Sequence, residues 1–267
     1  MGTPLTHDQV NEAAERLTHA RLAIEQIDSL GDCAPNDLAS AHLIADAHAK
    51  SLGWSPIGWK VGCTSAEAMR ILSCPQPFPG RVFDGTVHRS EILHHDAIHN
   101  PLLESEFGFL LGKSLPSRDS RYSIEELKDA TLAVVPAFEL VTSRFTDWLE
   151  VGYHSIIADS GSNGGVVFGE PVDLADCPLL ADVAVALTID GETIAEGTGA
   201  DILGDPWSSL EWLANHLSAR QIGLRAGEFV LSGTCTGAKP FPVGTTATAT
   251  FAGLGEVTVS RTAPEPN

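Results

Sequence analysis

The chain has 267 residues, 43% apolar and 19% charged, with 25 glycines and 16 prolines spread along it. That composition is ordinary for a globular protein with room for a sizeable core. Sixteen basic against 35 acidic residues leave a formal charge of −19, which argues against nucleic acid or an anionic membrane as partner and asks any anionic substrate to find a local cation.

Thr6-His-Asp-Gln9 has capping-box spacing and is followed by Val10, Ala14, Leu17, Ile24 and Ile27, which predicts a long amphipathic helix stopping at Gly31. An Ala-rich helix is expected from Asn36 to Leu52, stopped by Gly53. His19, His42 and His48 fall on these helices and read as surface or satisfied histidines rather than ligands. From Pro56 the texture changes to short β-like runs. Ile57–Cys63 carries Lys60 between Trp59 and Val61, either a snorkelling surface lysine or an anion-binding one in a pocket. Pro75–Gly80 reads as a stiff loop and candidate lid, and Asp84-Gly85 as a turn. His88, His94, His95 and His99 are expected in loops.

Pro101–Lys113, PLLESEFGFLLGK, is the most informative stretch. In a strand, Glu104 and Glu106 share a face, about 7 Å apart. They are either solvated acids on an edge strand or a pair that needs compensation, because unpaired carboxylates beside buried apolar surface are costly. A third acid, Glu139, lies inside a second apolar run, Ala133–Val141. Three carboxylates on two strands would leave open positions on an octahedral Mg²⁺ or Mn²⁺, hard ions that take oxygen ligands, whereas zinc prefers His and Cys.

Ser123-Ile-Glu-Glu126 opens a short helix, and Thr142–Tyr153 reads as a turn and a short helix. Asp159, Ser160, Ser162 and Asn163 fall in a glycine-containing loop, which is either a carboxylate cradle or a plain polar turn. Ala181–Asp190 and Glu192–Gly197 form a hairpin around Asp190-Gly191, and Asp205-Pro206 caps a helix with Leu210, Leu213 and Leu217. Strands at Gly227–Gly233, Thr245–Phe251 and Glu256–Arg261 finish the chain. The five cysteines, Cys33, Cys63, Cys74, Cys177 and Cys235, are odd in number and lack C-x-x-C spacing. Reduced thiols in the cytoplasm are therefore expected, and neither a secretory leader nor a membrane span is visible.

GWKVGCTS, FDGTV, ESEFGFLLGK, PAFELVTSRF, ADSGSNGG and LSGTCTG occur in this order. Together they resemble the 2-keto-4-pentenoate hydratase and 4-oxalocrotonate decarboxylase group of the fumarylacetoacetate hydrolase superfamily, over roughly residues 10–260. The resemblance implies an α+β fold, a mixed, mostly antiparallel β-roll with an N-terminal helical segment. Residues 1–55 would be the helical cap, 56–262 the catalytic body and 263–267 a frayed tail. It also implies a homo-oligomer.

By the same resemblance Glu104, Glu106 and Glu139 hold Mg²⁺ or Mn²⁺. Lys60 and Asp84 become pocket residues that shuttle protons, and Asp159, Ser160 and Ser162 a substrate-side loop. Ser160 stands where an Asn is common in hydratases, and the Lys60–Asp84 spacing is longer than usual. The implied activity is hydration of a 2-hydroxy-2,4-dienoate to a 4-hydroxy-2-oxo acid in aromatic meta-cleavage catabolism. The rival is decarboxylation of a 2-oxohex-3-enedioate, for which Arg81, Arg144 or Lys239 could receive the distal carboxylate. An acylpyruvate hydrolase, with a His88–Glu91 dyad, and a non-catalytic binding module complete the alternatives.

Overall fold

In the computed structural model, which describes residues 4–88 and 92–264, Thr6 closes a capping box with Gln9 and starts helix α1 (His7–Ala23). The helix is shorter than its apolar pattern predicts. Ile24 turns left-handed at φ 56° and its amide caps the carbonyls of Ala20 and Arg21. Ile27 continues as extended chain, bridged to Phe145, so its apolar side chain serves tertiary packing rather than a helical stripe. Helix α2 (Leu38–Leu52) is capped by Asp37 and ends at Gly53, whose φ of 66° suits glycine.

Strand β1 (Pro56–Gly62) and the short helix α3 (Ala66–Ile71) follow. Next comes β2 (Phe78–Phe83), so Pro79 and Gly80 belong to a strand paired with β1, not to a lid. Strands β3 (Val87–His88), β4 (Ile92–Leu93) and β5 (Leu102–Leu111), helix α4 (Ile124–Ala130) and β6 (Thr131–Val141) come next. Arg89, Ser90 and Glu91 of the dyad reading, and Glu265–Asn267 of the tail, lie outside the described residues. The short helix expected before Tyr153 instead begins there: α5 spans Tyr153–Ala158.

The remaining elements are β7 (Asn163–Phe168), β8 (Val172–Asp173), β9 (Ala184–Ile189), β10 (Glu192–Thr198), α6 (Pro206–Ala219), β11 (Phe229–Thr234), β12 (Lys239–Pro240), β13 (Thr246–Phe251) and β14 (Gly255–Arg261). Asp190 and Gly191 both take positive φ between β9 and β10, as a tight hairpin turn requires.

Two mixed, mostly antiparallel sheets result. The larger runs β2-β1-β11-β5-β6-β7-β3, with β12 on β5 and β8 on β6, and the smaller runs β10-β9-β13-β14-β4. Among the described strands, β1–β11, β3–β7 and β14–β4 are the parallel pairs. The two sheets share one core, in which Phe107 of β5 meets Phe251 of β13 edge to face at 5.1 Å. Trp207, Leu210, Leu213 and Leu217 of α6 pack into the same core.

Strand alternation decides which side chains leave that core. Leu103, Phe107, Phe109 and Leu111 of β5 enter it, as do Trp59 and Val61 of β1. Glu104 and Glu106 therefore point to the opposite face, and so does Lys60. On that side α2 and α5 contribute Ala41, Ile156 and Ile157 to a smaller apolar cluster with Cys63, Cys74 and Phe78. All five cysteines are free, and no helix among the described residues is long and apolar enough to cross a membrane.

Candidate metal centre

Register brings the acids together. Glu104 on β5 lies directly opposite Glu139 on β6, and Glu106 sits one pleat further on the same face. One carboxylate oxygen from each of the three falls within 4.8 Å of the others. Glu106 and Glu139 are fully buried, while Glu104 is half-buried. Glu106 Oε2 accepts the Gly233 amide at 2.7 Å, and Glu139 Oε1 accepts Asn163 Nδ2 at 2.9 Å. Gly233 can turn its amide inward because it adopts φ +92° at a register shift between β11 and β5; a Cβ there would overlap the Thr64 hydroxyl. Glu106 Oε1 and Glu139 Oε2 accept no hydrogen bond.

Among the described residues the cation of the cluster is Lys60, whose Nζ lies 3.3 Å from Glu139 Oε2. Their orientation makes this an ion pair rather than a directed hydrogen bond. Burial works against the Lys60 ammonium, but Glu139, Glu104 and Glu106 outweigh it and raise its pKa. Burial first, then Glu139, pushes Glu104 up to about 7 despite Lys60. Burial, Glu139 and Glu104 push Glu106 well above the usual carboxylate range. Three carboxylates against one ammonium leave an excess of acidic groups, with Glu106 Oε1 accepting no hydrogen bond and Glu139 Oε2 facing only Lys60. That donor set fits a hard divalent cation.

Through Lys60 and Glu104 the cluster borders a cavity of about 200 Å³. Lys60, Glu104, Ser162 and Thr234 provide its polar wall; Ala68, Ile71, Leu72, Phe78, Trp148 and Ile156 provide an apolar one. Among the described residues Lys60 is the only cation in the lining, and Glu67, exposed and paired with Arg70 at 2.7 Å, is the one acid besides Glu104.

Asp84 does not join Lys60. It is exposed at the end of β2, where its Oδ1 accepts the amides of Ser55 at 3.1 Å and Gly85 at 2.8 Å. The turn reading of the Asp-Gly string is the correct one, and it replaces the assignment as a proton-shuttling partner. Asp159 is also elsewhere engaged: Arg144 Nε donates to its Oδ1 at 2.6 Å and the Arg144 amide to its Oδ2 at 3.1 Å. The next three residues, Ser160, Gly161 and Ser162, all have positive φ. That strained turn is held from both sides. Thr142 donates its amide to Ser162 at 2.9 Å, and Gly80 lets β2 approach so closely that a Cβ would overlap the Ser160 carbonyl. The turn presents Gly161 and Ser162 to the cavity, with the Ser162 hydroxyl unpartnered. Ser160 is buried and is not part of the lining.

Arg81 and Arg144 are likewise committed. Arg81 pairs with Asp46 at 2.8 Å and stacks 4.4 Å from the Trp59 ring. Neither they nor Lys239 line the cavity. Asn163 and the Gly233 amide were not singled out as site groups from the sequence. Asn163 was legible only as one more polar residue in a loop, and a backbone amide leaves no trace in a string of letters. His94, His95 and Asp96 also approach one another, but in a surface turn away from the carboxylates.

A family model described as fumarylacetoacetate (FAA) hydrolase C-terminal matches residues 64–261. A 2-keto-4-pentenoate hydratase of Paraburkholderia xenovorans (strain LB400) is 33% identical over 235 residues, covering 86% of each chain. A 4-oxalocrotonate decarboxylase of Pseudomonas sp. (strain CF600) is 28% identical over 269 residues, covering 96% of this chain and 98% of its own. Among solved structures, 4-oxalocrotonate decarboxylase from Pseudomonas putida G7, complexed with magnesium and adipate, superposes with a TM-score of 0.89 at 26% identity, covering 97% of this chain and 100% of that one.

Proposed function

This chain belongs to the fumarylacetoacetate hydrolase family, and from that premise we propose that it is a metal-dependent hydratase. Its substrate would be a 2-hydroxy-2,4-dienoate of the 2-keto-4-pentenoate type, and its product a 4-hydroxy-2-oxo acid. The setting would be the meta-cleavage catabolism of aromatic compounds. The observation that carries the reading is the division of the cavity lining by chemistry. Among the described residues Lys60 is its only cation and Glu104 and Glu67 are its only acids, while Ala68, Ile71, Leu72, Phe78, Trp148 and Ile156 supply an apolar surface. A short monocarboxylate with an unsaturated tail matches that division.

Glu104, Glu106 and Glu139 would hold the ion, Mg²⁺ or Mn²⁺, with Asn163 and the Gly233 amide fixing the second oxygens of Glu139 and Glu106. When bound, such an ion acts as a Lewis acid toward the carboxylate and C2 oxygen of a 2-oxo acid. Lys60 is the group in the cavity that holds a proton, and we assign it proton delivery at C5 of the diene. The hydroxyls of Ser162 and Thr234 line the polar wall where water must approach C4. The phenyl ring of Phe78, whose centroid lies 5.7 Å from Lys60 Nζ, keeps bulk water from that ammonium. A homo-oligomer in the cytoplasm is part of the same reading.

The second reading, a decarboxylase of a 2-oxohex-3-enedioate, has its support in the similarity to the Pseudomonas decarboxylases. It asks this cavity to receive a second carboxylate with no lining cation besides Lys60 among the described residues. Arg70 is outside the lining and already paired with Glu67 at 2.7 Å, so desolvation opposes the arrangement. The test is product identity. Proton NMR of 2-hydroxypenta-2,4-dienoate turned over with Mg²⁺ should show 4-hydroxy-2-oxopentanoate, and persistence of the diene would overturn the hydratase.

A further inference from the structure

The buried charges outside the metal centre do not balance. Arg144 and Asp159 form a complete pair through the 2.6 Å and 3.1 Å contacts above. Arg21, in the last turn of α1 and 8% exposed, reaches the same carboxylate only at 3.8 Å. Its Nε and Nη2 donate no hydrogen bond. Two guanidiniums therefore face one carboxylate, and among the described residues no second carboxylate pairs with Arg21. Burial and then Arg144 lower the Arg21 pKa to about 9, against the pull of Asp159, so it stays charged at neutral pH. The carbonyl end of α1 compensates such a charge only in part, and an unpaired buried cation is costly.

Arg21 also lines a cavity of about 240 Å³ that shares no lining residue with the metal-centre cavity. Two neutral donors accompany it there. His88 Nε2 is buried without a partner, and burial keeps the ring neutral by lowering its pKa. Ser143 Oγ accepts the Phe145 amide at 3.1 Å, which leaves its own proton free to donate. Among the described residues the one carboxylate in the lining is Glu25, which is exposed and lies 3.9 Å from His19.

We propose that this cavity is a second binding site, for a small oxyanion of carboxylate or phosphate type. Arg21 is its charge partner, and His88 Nε2 and Ser143 Oγ are its neutral donors. The two cavities adjoin one stretch of chain: Gly161 and Ser162 of the turn line the metal-centre cavity, and Gly164, in the strand β7 that follows, lines the second. An oxyanion on Arg21 would thus sit against the Arg21–Asp159–Arg144 cluster from which that turn hangs.

The test is thermal unfolding of protein stripped of metal on a chelating resin, at constant ionic strength, titrated with inorganic phosphate and separately with pyruvate. The expected result is a saturable rise in Tm, about 3 °C at ten times Kd, with at least one of the two. Phosphate alone acting would make the site a phosphate site; pyruvate alone would make it a carboxylate site. R21M should lose the rise, and R21K should keep a weaker one. Without anion, R21M should melt no lower than wild type, because it removes a charge that has no partner. No saturable rise with either anion would overturn the proposal, and so would an equal rise in R21M. An R21M chain that fails to fold, or that changes sedimentation while wild type ignores both anions, would show that Arg21 already has a partner.

Discussion

Glu104, Glu106 and Glu139 confront the Lys60 ammonium, with Glu106 and Glu139 fully buried and Glu104 half-buried. The consequence is a particular pH behaviour of the metal-free protein. Because the folded state raises the pKa values of Glu104 and Glu106 above their unfolded values, it binds more protons than the unfolded chain between pH 4.5 and about 7. Stability contributed by these groups is present below that window and declines as pH rises through it. Glu106→Gln removes one of the charges, so in chemical denaturation without metal the wild type should lose ground to the variant from pH 5 to pH 7. A constant difference would contradict the assignment. With metal present the same variant should bind the ion poorly and lose at least about 100-fold in activity. Lys60→Met should retain the ion but lower kcat by about 10²–10⁴ if Lys60 handles the proton; wild-type kcat in that variant would remove it from the mechanism. At this scale the shared face of Glu104 and Glu106 was legible from strand alternation, but their reading as ion ligands needed the third acid, Glu139, and the family resemblance. Asp84 and Asp159 were not legible, because a one-letter string does not reveal that one accepts two turn amides and the other is engaged by Arg144.

Among the elements, β2 and the turn after α5 depend most closely on each other. Gly80 allows the Ser160 carbonyl to approach, and the turn in turn sets Gly161 against Lys60, where a Cβ would lie 2.7 Å from the lysine Cε. Gly80→Ala should therefore displace the turn while both sheets persist. The expected outcome is an unchanged circular dichroism spectrum with kcat/KM reduced by about tenfold or more, since misplacing a positioned group by 1 Å can cost about 100-fold. Wild-type kinetics in Gly80→Ala would show that the turn does not position the site. Element ends were readable wherever a local interaction makes them, as in the capping boxes at Thr6 and Ser123, the Asp205 cap and the Asp190-Gly191 hairpin. They were misread where tertiary packing decides. Ile24 and Ile27 continue a helical apolar period, yet the chain leaves the helix so that Ile27 can bridge to Phe145. Pro75–Gly80 has the composition of a loop, yet Phe78–Gly80 pairs with β1.

At the level of the whole molecule, two sheets and α6 close around one core, which leaves the opposite face of β1, β5 and β6 free to carry charge. On that face the turn after α5 packs against β1 and β2, and Lys60, the Gly233 amide and Asn163 close in on the acids. The sequence pattern disclosed the strands and the helices, but the pairing of Glu104 with Glu139 depends on β5–β6 register, which no local pattern encodes. The overall charge of −19 repels anions, and a dianion more than a monoanion. Substrate charge and cavity lining thus point the same way, toward a monocarboxylate. The most direct measurement compares kcat/KM for 2-hydroxypenta-2,4-dienoate and 2-oxohex-3-enedioate on chelator-stripped protein, with and without Mg²⁺, following ultraviolet loss and CO₂ release. The hydratase reading predicts Mg²⁺-dependent loss of the monoacid without CO₂ and a much lower kcat/KM for the diacid. Preferential turnover of the diacid with stoichiometric CO₂ would contradict it.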